Sequence, residues 1–325
     1  MSAPQEARLD RAVTLNMMGD WGIANLHRIC GWLSAELWRR SPRGSRFAIW
    51  AGRGGTDAIH AVLDGTVETA LFVPAGFART VFERRGICDR TDVGRLRALG
   101  TLPQDDRLVF AIDASLGIAS FAELRAKRPA LRLSTAVDDG ENMTGFASHR
   151  VLEAEGVAPA TIRSWGGQLF EGEGPWDTIP LATKGEADAV LFEAVMTPYW
   201  KELCRARRMN FLPFEEAALA GLEEKYGWAR GIVPADRFPG LTAPFPALDF
   251  SDFLLICRDD LGDDIAQVIA AIMCETTGLL ENQYRHIPPK DSPVTYPLQP
   301  RKIARTAIPL HPGAERYYRA RGHLS

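Results

Sequence analysis

Three short turns carry the residue types suited to holding a small ligand. They are Gly19-Asp20-Trp21-Gly22, Gly52-Arg53-Gly54-Gly55 and Asp138-Asp139-Gly140-Glu141-Asn142, the last followed closely by Thr144. Each follows an apolar run that reads as a strand and precedes a stretch with helical spacing. Such a turn gathers backbone N–H groups and a helix N-terminus at the exit of a strand, a setting that suits a small anion. Arg53 would clamp a carboxylate through two parallel hydrogen bonds, or stand as a solvated surface arginine. Trp21 would wall an apolar part of a ligand or cap the core. Glu193, after the apolar run 189–192, would receive an ammonium or hydroxyl group or pair with a lysine. The carboxylates Asp138, Asp139 and Glu141 would bind a cation or favour the N-terminus of the helix they precede.

Other chemistries lack a motif. There is no G-x-S-x-G elbow, and none of the turns is a phosphate loop or a G-x-G-x-x-G fingerprint, so no nucleotide cofactor is expected. The six histidines are dispersed, without paired spacing for a metal. Cys30 falls on the apolar face of the first helix, as a core residue more than a nucleophile. His60 lies on a helix beside the second turn, as a general base or a helix-surface histidine. The five cysteines form no C-x-x-C pair, which fits reduced thiols.

The elements that must position these residues alternate. Strands are expected at 12–18, 47–50, 70–73, 108–112, 131–135, 189–192 and 211–213. Helices follow many of them, the first through Ile23, Leu26, Cys30, Leu33 and Leu37. The segment 161–165 leads into a long Gly/Glu loop, 166–177. A helix is expected over 215–226, an irregular connection over 228–246, a long apolar strand over 248–258 that runs between lobes as a hinge, and a helix over 264–276. Extended surface chain is expected over 287–309 and a last helix from about Gly313. Alternation of this kind implies an α/β fold of parallel sheets with helices on both faces. Residues 64–73 and 184–193 echo one another: a helix end, a glycine, an acidic residue and a buried strand. Two lobes of like construction, or two similar turns arising by chance, account for the echo equally.

The chain has 325 residues, 46% hydrophobic and 24% charged, with a net charge of −3. That length accommodates two lobes. No basic field marks a nucleic-acid partner, and no apolar run approaches the roughly 18 residues of a membrane span. The N-terminal residues lack a basic start followed by an apolar core, so the sequence reads as cytoplasmic, or as periplasmic with a leader removed.

Several segments together resemble the TAXI-type solute-binding proteins of TRAP transporters. They include the opening strand and glycine turn, Asp64-Gly65 through Pro74-Ala75, and Gly117-Ile118-Ala119-Ser120-Phe121-Ala122-Glu123-Leu124-Arg125. Gly185-Glu186-Ala187-Asp188-Ala189 and Leu310-His311-Pro312-Gly313-Ala314-Glu315-Arg316-Tyr317-Tyr318 complete the set. The resemblance implies a type II periplasmic-binding-protein fold. It implies two doubly wound lobes joined by a hinge, one of residues 1–107 plus 214–325 and the other of 108–213, with a ligand cleft between them. It also implies a small polar organic acid or amino-acid-like ligand and a membrane transporter subunit as partner; with no cofactor motif among the turns, no cofactor is expected. Ala75 joins the candidate ligand residues on this ground. The family's Gly-Ser-Gly-Thr turn is here replaced by the acidic 138–144 stretch, so the ligand would carry a positive or hydroxyl-rich end. The rival expectations are a cytoplasmic enzyme on the same fold, a decarboxylase or desulfinase-like lyase using Cys30, His60, Arg53 and Glu193, and an intracellular sensor module.

Overall fold

The computed structural model describes residues 6–20, 22, 25–195 and 197–325. Trp21 and Ile23 lie outside the described residues. The chain divides into two compact units, residues 1–104 with 251–325 and residues 105–250.

Unit 1 begins with β1 (Thr14–Met18), α1 (Asn25–Arg39), β2 (Arg46–Trp50), α2 (Thr56–Leu63), β3 (Thr69–Phe72), α3 (Phe77–Phe82) and β4 (Leu96–Leu102). Helix α1 buries Leu26, Cys30, Leu33 and Leu37, which recur at the spacing that puts them on one face. All of β3 is buried, and β2, an outer strand, alternates between exposed and half-buried residues.

Unit 2 contains β5 (Arg107–Asp113), α4 (Phe121–Lys127), β6 (Arg132–Ala136), α5 (Met143–Ala154), α6 (Pro159–Ser164) and β7 (Gln168–Gly172). It continues through α7 (Pro175–Thr183), β8 (Ala189–Glu193), α8 (Thr197–Ala206), β9 (Met209–Leu212), α9 (Glu216–Tyr226), β10 (Arg230–Val233) and β11 (Phe245–Asp249). The chain then returns to unit 1 with β12 (Phe253–Arg258), α10 (Asp263–Glu275), α11 (Thr277–Glu281), α12 (Pro300–Ile303) and α13 (Pro312–Ala320).

Both sheets are mixed. In unit 1 the order is β2-β1-β3-β12-β4; β1 pairs in parallel with β2 and β3, and β12 runs antiparallel to both its neighbours. In unit 2 the order is β10-β11-β5-β8-β6-β7, with β9 also on β5; β6 is parallel to β7 and β8, and β5 is antiparallel to β8, β9 and β11. Purely parallel sheets are therefore corrected to a parallel trio in each unit, extended by antiparallel strands. Only the trio has the helical crossovers that parallel pairing demands.

The expected boundary at 213/214 is corrected to 250/251. Strand β11 returns to pair with β5, and β10 pairs with β11, so residues 214–250 complete the sheet of unit 2. The long strand expected over 248–258 is two strands, β11 and β12, with the crossing from one unit to the other falling in the gap. Residues 161–165 lie mostly in helix α6, which starts with a proline at its first turn, and the expected loop 166–177 contains β7 and the start of α7. The irregular connection 228–246 contains β10. The expected extended surface chain 287–309 includes α12 and buries Val294, Leu298, Ile303 and Ile308.

The hydrophobic cluster of unit 1 joins Leu15, Met17, Leu71 and Leu99 from strands to Leu33, Ile269, Ile272 and Tyr318 from helices. The tail motif is part of that core. His311 Nδ1 accepts the Gly313 N–H at 3.2 Å and caps α13. A Cβ at Gly313 would stand 2.3 Å from the Asp263 carbonyl oxygen, so no larger residue fits there. The Tyr318 hydroxyl donates to the Leu99 carbonyl at 2.6 Å.

The echo in the sequence is a structural repeat. Gly65 and Gly185 end α2 and α7 with φ of 74° and 77°. The N–H groups of Thr66 and Val67 both donate to the Ala61 carbonyl, and those of Glu186 and Ala187 both donate to the Leu181 carbonyl. The Glu68 carboxylate accepts the Asn16 N–H at 2.6 Å, and the Asp188 carboxylate accepts the Arg132 N–H at 3.1 Å. Each carboxylate thereby pins its turn to the adjacent parallel strand, at the middle of β1 in one unit and the start of β6 in the other.

Candidate functional site

In unit 1 the candidate residues Gly19, Asp20, Gly22, Arg53, Gly54, Gly55 and Ala75 gather at the carboxyl ends of β1, β2 and β3. Backbone bonds tie these turns to one another. The Gly19 N–H donates to the Trp50 carbonyl at 3.0 Å, the Gly52 N–H to the Asp20 carbonyl at 3.2 Å and the Val73 N–H to the Gly54 carbonyl at 2.8 Å. Close packing explains the glycines. A Cβ at Gly19 would lie 2.9 Å from the His27 Cα, and Gly54 adopts a φ of 76°.

Carboxylates occupy N–H groups of these turns. Asp20, buried at 2% exposure, accepts the N–H groups of Leu26 at 2.8 Å and His27 at 3.2 Å and so caps α1. Asp57, which the sequence reading passed over, accepts the N–H of Arg53 at 2.6 Å and of Gly55 at 2.9 Å. The same device recurs in unit 2, where Asp139 accepts the N–H groups of Glu141 at 3.0 Å and Asn142 at 2.9 Å. In the second and third turns, and at the start of the helix after the first, backbone donors expected to face a bound anion are instead bonded to the chain's own side chains. The signal is an aspartate in or just after each turn, a placement that favours local side-chain capping.

In unit 2 the candidates Asp139, Glu141, Asn142, Thr144 and Glu193 share the carboxyl-terminal edge of β6, β7 and β8. Asn142 caps α5 by accepting the Gly145 N–H at 3.1 Å, and its amide donates to the Glu173 carbonyl at 3.1 Å. A Cβ at Gly145 would fall 1.8 Å from the Val137 carbonyl oxygen, so this glycine lets α5 start directly against the strand exit. Asp138 is drawn back onto α5 by Arg150 at 2.9 Å and lies 3.6 Å from His149.

Glu193 is half-buried at the end of β8 and accepts a hydrogen bond from the Thr144 hydroxyl. The indole of Trp200 donates to its carbonyl at 2.7 Å. Burial pushes the Glu193 carboxyl up to about 7, against the pull of the Thr144 hydroxyl. Asp106 is fully buried just before β5, where it accepts the N–H groups of Arg107 at 2.7 Å and Val195 at 2.8 Å. Burial and then the charge of Glu193 raise its carboxyl well above the usual range, opposed by those N–H groups and Arg237. Burial and their like charges thus both work against the two carboxylates being ionised together. Asp106 carries no local signal, because Glu193 stands 87 positions later and comes near it only through the β5–β8 pairing.

Of the residues considered for catalysis, Cys30 is fully buried, and burial pushes its thiol up to about 12; it is a core residue, which excludes it as a thiolate nucleophile. His60 is half-buried on α2. Among the described residues no group of three or more His, Cys, Asp or Glu side chains is placed to hold a metal ion, and no helix is long and apolar enough to cross a membrane.

The sequence of residues 34–322 matches the NMT1-like family, and the chain belongs to that family. Comparison with curated proteins finds no match. Among solved structures, XAC2383 from Xanthomonas citri bound to chloride ion is 12% identical with a TM-score of 0.52, over 96% of this chain and 99% of that one. Rpa4515 of R. palustris with adipate is 14% identical with a TM-score of 0.51, over 96% of this chain and 97% of that one. The likeness establishes a two-lobed α/β fold of the periplasmic-binding-protein type.

Proposed function

We propose that this chain is a solute-binding protein that captures a small polar organic acid or amino-acid-like ligand. We further propose that it works beside a separate membrane transporter of the TRAP type, as its TAXI-like segments suggest. The observation that carries the reading is the paired architecture: each unit presents the carboxyl ends of three parallel strands, lined by buried or half-buried polar side chains. In open α/β sheets that edge is where ligands bind. Membership of the NMT1-like family supports it. So do the ligands of similar folds, chloride in one case and adipate in another.

The test is isothermal calorimetry against short carboxylic acids, amino acids and diamines, with mass spectrometry of whatever co-purifies. Saturable binding of an intact compound at one site per chain is the expected result. Conversion of the bound compound into a product would overturn the reading in favour of an enzyme.

A further inference from the structure

The end of α13 builds a cationic pocket within unit 1. The helix closes in a glycine turn, with a φ of 68° at Gly322. There the Gly322 N–H donates to the Arg319 carbonyl at 3.0 Å and the His323 N–H to the Tyr318 carbonyl at 2.8 Å. That turn fixes Arg321 and His323 on either side of the glycine. With Glu275 at the end of α10, Pro300 at the start of α12 and Tyr317, they line a cavity of about 400 Å³. Small-molecule sites span roughly 300–1,000 Å³. None of these residues belongs to the strand-exit turns.

The one carboxylate of the lining is already engaged. Glu275 accepts the Tyr317 hydroxyl at 3.0 Å, the Arg321 guanidinium at 3.2 Å and the buried Arg40 at 2.9 Å. The Nε and Nη1 donors of Arg321 have no protein partner among the described residues, and neither ring nitrogen of the half-buried His323 has one. Arg301, exposed on α12, likewise makes no ion pair among them. Burial, and then the charges of Arg301 and Arg321, hold the His323 imidazole below its ordinary 6.5. The other titratable groups at the pocket stay neutral, since burial pushes the Cys274 thiol up to about 12 and the Tyr317 phenol higher still.

We infer that this pocket binds a phosphate group, free or carried on a small organic molecule, between Arg321 and His323, with Arg301 adding its charge from α12. A phosphate offers several acceptor oxygens to the separated donors of a guanidinium and an imidazole. Its charge also offsets the repulsion that the two arginines exert on a protonated imidazole, so His323 takes up a proton as the anion binds. This site does not depend on the function proposed above.

The test is calorimetry on the full chain with inorganic phosphate, glycerol 3-phosphate, sulfate and acetate. Phosphate is expected to saturate one site, and acetate, with half the charge, to bind roughly 10-fold more weakly. Tighter binding of glycerol 3-phosphate than of phosphate identifies an ester as the source of the group; equal or weaker binding identifies the free ion. His323→Gln weakens phosphate roughly 10-fold, the worth of a hydrogen bond to a charged group. Arg301→Gln weakens it roughly 3- to 5-fold, as befits an exposed charge, and Arg301→Lys restores it. Sulfate keeps its charge between about pH 5.5 and 8, so its affinity follows the protein alone: it rises as the pH falls, and His323→Gln abolishes the rise. Neither side chain makes a hydrogen bond or ion pair among the described residues, so both variants keep the parent's unfolding temperature. Absence of saturable phosphate binding, or binding that survives both Gln substitutions unchanged, would overturn the inference and leave the solute-binding reading standing.

Discussion

Glu155 offers a direct test of the electrostatics of unit 2. It follows α5, is 1% exposed, and accepts the Glu215 N–H at 2.8 Å just before α9. Burial pushes its carboxyl from the ordinary 4.5 up to about 7; the Glu215 N–H and the Arg125 charge pull down, and the Glu215 charge adds to the rise. Arg125 stands 4.0 Å away and is bonded to Glu215 at 2.8 and 3.0 Å, so it neutralises Glu155 only in part. Because the folded state holds this proton more tightly than the unfolded chain, stability from this group is full below about pH 4.5. It declines as the pH rises towards about 7, and it is gone above that. At about 1.4 kcal/mol per pH unit the ionised form costs on the order of 3 kcal/mol, with screening reducing that to about 2. Glu155→Gln keeps an acceptor for the Glu215 N–H and carries no charge. Urea unfolding monitored by circular dichroism should show the variant close to the parent protein at about pH 4.5. At about pH 8 it should be about 2 kcal/mol more stable, or roughly 5 °C in Tm. A variant equally stable to the parent at about pH 8, or less stable there, would refute the assignment of a buried, proton-holding carboxyl.

Gly145→Ala should lower Tm by several degrees and abolish ligand binding in calorimetry, since its Cβ would force α5 away from the Val137 carbonyl. Tyr318→Phe leaves the buried Leu99 carbonyl without its donor at 2.6 Å and should cost about 1–2 kcal/mol in urea unfolding, with ligand affinity unchanged. Asp57→Ala frees the N–H groups of Arg53 and Gly55; amide hydrogen exchange should rise at those two residues while the α2 interior stays protected.

Much of the fold was legible because local patterns match global placement. The apolar face of α1, the glycines at 65 and 185 and the face of α10 through Ile265, Val268, Ile269 and Ile272 all obey short-range rules. What escaped depends on distant partners. Strand β7 reads as loop because Gln168, Glu171 and Gly172 are polar or small, and β6 is the one strand it pairs with among the described residues. Strand β4 was not read from the sequence; it is fixed by β12, more than 150 positions further on. The boundary at 250 depends on β11 reaching back to β5. The turns themselves were legible as strand-to-helix exits, whereas their occupation by Asp20, Asp57 and Asp139 reverses what glycine-rich turns suggest on their own.

The chain order of the two units has a consequence during synthesis on the ribosome. Every strand of unit 2 has been translated by residue 249, so that unit can close its sheet at once. Unit 1, although it is begun first, lacks the strand that pairs with both β3 and β4 until residue 258 has emerged, and α10 and α13 come later still. The unit encoded in the middle therefore finishes before the unit encoded at the start. Nascent β3 and β4 meanwhile present unpaired, strongly apolar edges of the kind that chaperones hold and aggregates recruit.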